Sequence, residues 1–293
     1  MRALAWLLAF VFALPLARAG EVHGFRFHIV TGDDSAQTRR IADDLYKRLV
    51  PLSAMFRTEL AQRRRMVYIA IGPVALRDVA ARNDDCVVIS AFTSSQVWRS
   101  VVASATPARA AAMTAVYAEP APADQLRLVE LLYRRPVHVA AIIGGGTGYL
   151  KALLGNAAAF KELAPGEDIN GALNQIAPNQ VLLAMPDSAV YNADNIRNIL
   201  LSTYRHKQGV IGFSADMVKA GALASTYSGI DDINAQVAEM AAAFVASGAL
   251  PPPQFPRYFR TTVNVGVAHS LDIGAEQAAA AQAFARHPPA RAR

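Results

Sequence analysis

Short apolar runs alternate with longer amphipathic stretches along the whole chain. "FRFHIVTG" (25–32), "MVYIAIG" (66–72), "CVVISAF" (86–92), "MTAVYAE" (113–119), "VHVAAIIGG" (137–145), "QVLLAMPD" (180–187), "GVIGFS" (209–214), "AGALAST" (220–226) and "RYFRTTVN" (257–264) predict strands. Between them, apolar residues three and four apart predict helices. These fall at 35–49, where Ile41, Leu45 and Leu49 recur every fourth position, and at 73–83, with Pro73 in the first turn. Others are expected at 123–134, 149–163, 167–176, 195–207 and 230–248, with a short one at 265–274. Strands alternating with helices imply an α/β fold built on mostly parallel sheet. Several strands are apolar nearly throughout, as strands covered on both faces should be.

The two ends read differently from the middle. "MRALAWLLAFVFALPLARAG" has one basic residue, Arg2, then an apolar run from Ala3 to Leu16 and a small-x-small site at Ala17-Arg18-Ala19. That is the three-part pattern of a secretory leader (1–19), too short for the roughly 20 residues that span a bilayer. The stretch 275–293, Ala-rich and then Pro- and Arg-rich, reads as a frayed helix and disordered tail.

Composition narrows the functional classes. Removing Arg2 and Arg18 with the leader lowers Lys plus Arg from 29 to 27 against 23 acids, so the formal charge of +6 becomes +4. No interleaving of basic and aromatic residues supports nucleic-acid binding. Cys86 is the one cysteine, so there is no internal disulfide, and its apolar surroundings predict a core thiol. The six histidines show no metal-ligand spacing, and "GFSAD" lacks the second glycine of a nucleophile elbow. "GGGTG" (144–148) misses both phosphate-loop and dinucleotide spacings. No nucleophile–base pair, metal or cofactor is expected, and the chain is read as a non-enzyme.

In open parallel sheets, ligands bind beyond the carboxyl ends of the strands. The loops there carry Thr93, Ser94 and Ser95; Thr147 and Tyr149; Asp187, Ser188 and Tyr191; and Phe213, Ser214 and Asp216. Hydroxyls, carboxylates and aromatic faces suit a small polar ligand. Thr93, Ser94 and Ser95 equally suit a helix cap. A helix cap at Asn192 or Asp194 leaves Asp187 free for ligand, and the acid that Lys219 pairs with is open.

"PDSAVYN" (186–192), "IGFSADMVKAGALAS" (211–225) and "VNVGVAHSL" (263–271) together resemble the substrate-binding proteins of ABC transporters, of the tryptophan/tyrosine-binding type. The resemblance covers roughly 180–273, extends loosely over 117–143, and holds in pattern only for the first 90 residues. It implies a type I periplasmic-binding-protein fold: two doubly wound parallel-sheet lobes joined by a hinge. Lobe one would take 21–117 and 229–252, and lobe two 119–227 and 254–273. The chain would cross near 117–120, 226–229 and 251–254. One strand of the second lobe is expected to be missing, replaced by "KELAPGEDIN" (161–170). The implied function is capture of a small ligand, an amino acid by the family's pattern, by a monomer that serves a membrane permease. Thr93, Ser94 and Ser95 would hold it from lobe one, and Thr147, Asp187 and Ser214 from lobe two. Tyr149 or Tyr191 would stack on an apolar part. The competing expectation is an exported ligand sensor or scaffold acting with another envelope partner.

Export is checked directly. Protein recovered from the periplasm of a Gram-negative host should begin at Gly20 by intact-mass spectrometry; uncleaved chain held in the membrane fraction would contradict the leader.

Overall fold

The computed structural model describes residues 24–55, 64–82 and 85–289; the leader and residues 290–293 lie outside the described residues. The first half runs β1 (Gly24–Thr31), α1 (Ala36–Met55), β2 (Arg64–Ile71), α2 (Gly72–Ala80), β3 (Cys86–Thr93), α3 (Ser95–Ala103), α4 (Pro107–Ala111) and β4 (Met113–Tyr117). These four strands form one parallel sheet in the order β1-β2-β3-β4. Strand periodicity sorts its side chains onto two faces. Val67, Ile69, Ile71, Val87 and Ile89 meet Ile41, Leu45 and Leu49 of α1. Tyr68, Ala70, Cys86, Val88 and Ala115 meet Leu76 and Val79 of α2 and Trp98 of α3.

The chain continues through α5 (Pro122–Tyr133), β5 (Val139–Ile143), α6 (Leu150–Leu154), β6 (Ala159–Glu162), α7 (Ile169–Ile176), β7 (Val181–Leu183), α8 (Ala193–Arg205), β8 (Gly209–Ile211), α9 (Ala215–Ala220) and β9 (Ala224–Tyr227). Then come α10 (Ile230–Ser247), β10 (Arg260–Val263), α11 (Val265–Ser270) and α12 (Ala275–Gln282). A second sheet has the order β10-β9-β8-β7-β5-β6, parallel except for β10, which runs antiparallel to β9. Its helices also cover both faces, with α5, α6 and α12 on one and α7, α8 and α9 on the other.

These two sheets are the cores of two lobes, and the chain passes between them three times. It leaves β4 for α5, which packs on the second sheet, near residues 117–122. It leaves β9 for α10, whose Ile233, Val237, Met240 and Phe244 complete the first core. It then lays Gln254 beside Val116 at the edge of the first sheet before entering β10. Gln236 of α10 pins this last pass: its amide donates to Gln254 Oε1 and the Phe255 carbonyl, and its oxygen accepts from the Arg257 N–H. Among the described residues no helix is long and apolar enough to cross a membrane.

Three local expectations are corrected. The helix expected over 149–163 stops at Leu154, and the strand thought missing from lobe two is β6. Gly155 adopts φ +52°, a left-handed state that ends the helix without penalty for glycine. The strand hides in the sequence because it is an edge strand: Ala159 and Glu162 are exposed, and Glu162 and Lys161 pair with Lys151 and Glu167. The strand expected over 220–226 is preceded by helix α9, which Gly221 (φ +124°) terminates.

The tail is also ordered where it is described. Ala281 of α12 is fully buried, and Gln282 donates to the Thr261 carbonyl and accepts from the Val263 N–H. Phe284 meets Phe259 edge-on at 4.9 Å, and Phe259 and Arg286 exchange backbone hydrogen bonds. Alanines let α12 lie close against α5, where a tail rich in small residues reads as disorder. Deleting residues 275–293 should therefore lower the urea midpoint clearly; an unchanged midpoint would mean the tail contributes nothing.

Candidate functional site

The site starts from a kink. Phe92 takes φ +56°, and the β3–β4 register slips between Ala91 and Thr93. A bulky residue rarely takes that conformation, and bulges of this kind recur next to functional sites. The chain turns at once into α3. Ser94 is its N-cap, the hydroxyl accepting from the Val97 N–H at 3.3 Å. Thr93 is buried, its hydroxyl donating to the Ala91 carbonyl and its carbonyl accepting from the Ala118 N–H. Ser94 thus takes the cap its sequence suits, and Thr93 bonds within its own turn.

Ser95 faces across the lobes. Its hydroxyl and that of Tyr149 share a 2.5 Å hydrogen bond, and its backbone N–H donates to both oxygens of Glu119 at 2.9 and 3.2 Å. One turn on, the Arg99 guanidinium lies 4.1 Å from the centre of the Tyr149 ring, a cation–π contact. Gln96 accepts from the Ser188 N–H at 3.3 Å. Gly146 leaves the Gln96 amide close against its backbone, where a Cβ would come within 2.9 Å of it. The N-terminal turn of α3 therefore touches both ligand loops of lobe two. Burial pushes the Tyr117 phenol up to about 12 against the pull of Arg99; burial also raises Tyr149, opposed by its bond to Ser95.

Lobe two holds its own loops with Asp187. The carboxylate is 1% exposed and accepts from the Gly144 N–H at 2.6 Å, the Ala189 N–H at 2.9 Å and the Thr147 hydroxyl. Where ligand contact is expected of them, Asp187 and Thr147 tie the loop after β5 to the loop after β7. The Asx-like geometry at Asp187 serves the fold because three donors converge on it.

The remaining sequence candidates also part company. Tyr191 packs edge-on against Phe213 at 5.8 Å beside the lobe-two core, with its hydroxyl buried and its ionisation pushed up by burial. Both rings are partly buried against the lobe-two core, where stacking on ligand is expected of Tyr191. Ser214 caps α9 by accepting from the Met217 N–H. Asp216 is exposed and pairs with Lys219 at 2.9 Å, which identifies the lysine's partner. Ser95, Tyr149 and Ser188 remain at the lobe contact. Gln96, Arg99 and Glu119 join them unforeseen. Glu119 follows the fourth strand directly, where the rule used for the other loops could have found it. Gln96 and Arg99 needed only the helical spacing from Ser95. Among the described residues, no group of three or more His, Cys, Asp or Glu could hold a metal ion.

No family model and no curated protein matches the chain. Solved structures do. The ligand-free, open form of a substrate-binding protein with adhesive properties from Clostridium difficile is similar at 12% identity and a TM-score of 0.58, over 85% of this chain and 95% of that one. A conserved domain protein from Vibrio cholerae aligns at 16% identity and 0.53, over 89% and 99%. An ABC domain from Streptococcus pneumoniae in complex with L-Trp aligns at 15% identity and 0.51, over 85% and 96%. At these identities the likeness is one of fold: the chain has the two-lobed architecture of type I periplasmic binding proteins.

Replacing Asp187 with alanine strands three donors, each worth roughly 1–3 kcal/mol when buried without a partner. Urea unfolding should show a loss of at least that size for Asp187→Ala. A variant as stable as the parent would return Asp187 to the ligand.

Proposed function

We propose that this chain is an exported solute-binding protein. It captures a small polar ligand between its lobes and delivers it to a membrane permease of the ABC type, acting as a monomer. The observation that carries this reading is the meeting of Ser95, Gln96 and Arg99 from one lobe with Tyr149 and Ser188 from the other. Donors, acceptors and an aromatic face converge there, without the nucleophile–base geometry of a catalyst. Lobe one comprises 21–117 and 229–252. Lobe two comprises 119–227 and 254–273, with α12 packed on it. The three passes between them are the hinge. A ligand that touches both lobes binds the closed form better than the open one, and that difference in affinity drives closure. The resemblance to tryptophan/tyrosine-binding proteins, and the L-Trp held by the pneumococcal relative in fold, support an amino acid as the ligand.

A thermal-shift screen of the mature chain against amino acids, sugars and small organic acids tests this. At least one compound should stabilise the protein. Tyr149→Ala should weaken that compound by at least about tenfold, the 1.4 kcal/mol scale of one good aromatic or polar contact. Silence across the screen, or hits indifferent to Tyr149 and Arg99, would refute the proposal.

A further inference from the structure

The candidate site lies at the carboxyl ends of the parallel strands. The amino ends of the second sheet form a surface of another kind. There β5, β7 and β8 begin side by side, the Gly209 N–H donating to the Gln180 carbonyl and the Gln180 N–H to the His138 carbonyl. Helix α8 delivers its last turn to this end. Its Ile199 and Thr203 are buried, whereas Leu201 is 46% and Tyr204 65% exposed. Tyr204, Arg205, His206 and Lys207 are exposed in succession, and Lys207 takes φ +52°, which turns the chain out of the helix. Arg135 joins them from the turn before β5. Its guanidinium lies 6.0 Å from the centre of the Tyr133 ring, and the Tyr133 hydroxyl crowds Gly209, just beyond Lys207.

The charge of this end is one-sided. Among the described residues Arg135, Arg205 and Lys207 form no ion pair. On the neighbouring elements, Glu276 is taken by Arg134 at 3.0 Å and Asp216 by Lys219 at 2.9 Å, and Asp272 stands exposed after α11. The turn from Ala177 to Gln180, which Gln208 ties to this surface, carries no charge. Three unpaired bases thus surround an exposed leucine–tyrosine pair spaced on one helix face.

We propose that this end of lobe two is a membrane-docking surface for anionic lipid headgroups. The chemistry of each group suits a bilayer. Guanidinium and ammonium groups meet phosphate, a tyrosine settles at the level of the headgroups, and a leucine enters the edge of the acyl layer. A row of four exposed residues is a protruding turn, which a soft planar surface accepts; an extended acidic polypeptide would instead lie in a groove. The export expected from the sequence puts the chain beside such bilayers. Docking by this end leaves the cleft free, because Ser95, Tyr149 and Ser188 meet at the opposite ends of the strands. The proposal goes beyond the solute-binding reading and holds whatever the cleft captures. Its effect is to confine a loaded protein to the neighbourhood of the bilayer surface.

The experiment is vesicle flotation with the mature chain, on phosphatidylcholine alone and on phosphatidylcholine with about 30% phosphatidylglycerol. The protein should float with the anionic vesicles, stay behind with the neutral ones, and be released when salt rises from about 0.1 M to about 1 M. Arg135→Gln, Arg205→Gln and Lys207→Gln should each weaken anionic-vesicle binding about fivefold, the scale of one base at such a surface. Arg40→Gln, an exposed base on α1 of lobe one, should leave it unchanged, and so separates a docking surface from overall basicity. Tyr204→Trp should show a blue-shifted emission on anionic vesicles only, which reports insertion without depending on the charge variants. Equal binding to neutral vesicles, an Arg40→Gln loss as large as that of Arg205→Gln, or no flotation at all would overturn the proposal. Capture by poly-glutamate with no flotation would overturn it in favour of an acidic protein partner.

Discussion

A parallel sheet must be covered on both faces, and the first sheet here lacks enough helix of its own to do it. Helices α2 and α3 close one side. The other side is shared between α1 and α10, and α10 is drawn from beyond five of the six strands of the second sheet. That requirement sends the chain across, back and across again. The three passes bring the carboxyl end of β3 opposite the loops after β5 and β7. Every contact of the candidate site depends on that juxtaposition, from the Ser95–Tyr149 hydrogen bond to Arg99 lying on the tyrosine ring.

The architecture was largely legible in the residues. Apolar runs located nine of the strands because buried parallel strands have little else in their composition. Leu45, Leu76 and Phe244 sit in cores where helical spacing places them. What escaped was whatever tertiary context decides. Strand β6 carries charges suited to a sheet edge and so resembles helix surface. Helix α12 is held by alanines too small to advertise a core. The site was half legible. Looking after each strand finds Ser95, Tyr149 and Ser188. It does not tell a hydroxyl that caps a helix, as at Ser94 and Ser214, from one that reaches across a cleft, since both stand in the same local sequence.

The two buried carboxylates show why residue type alone misassigns roles. Asp187 lies in the loop that resemblance favours, yet its oxygens are occupied by Gly144, Ala189 and Thr147. Glu119 lies where a strand hands over to a crossing, and Ser95 and its own backbone bond its carboxyl.

The origin of α10 has one more consequence. Until residues 230–247 have been made, one apolar flank of the first sheet has only α1 against it. The amino-terminal half cannot reach its final compactness while the ribosome is still producing the middle of the polypeptide. The first lobe is thus completed by a segment synthesised after most of the second.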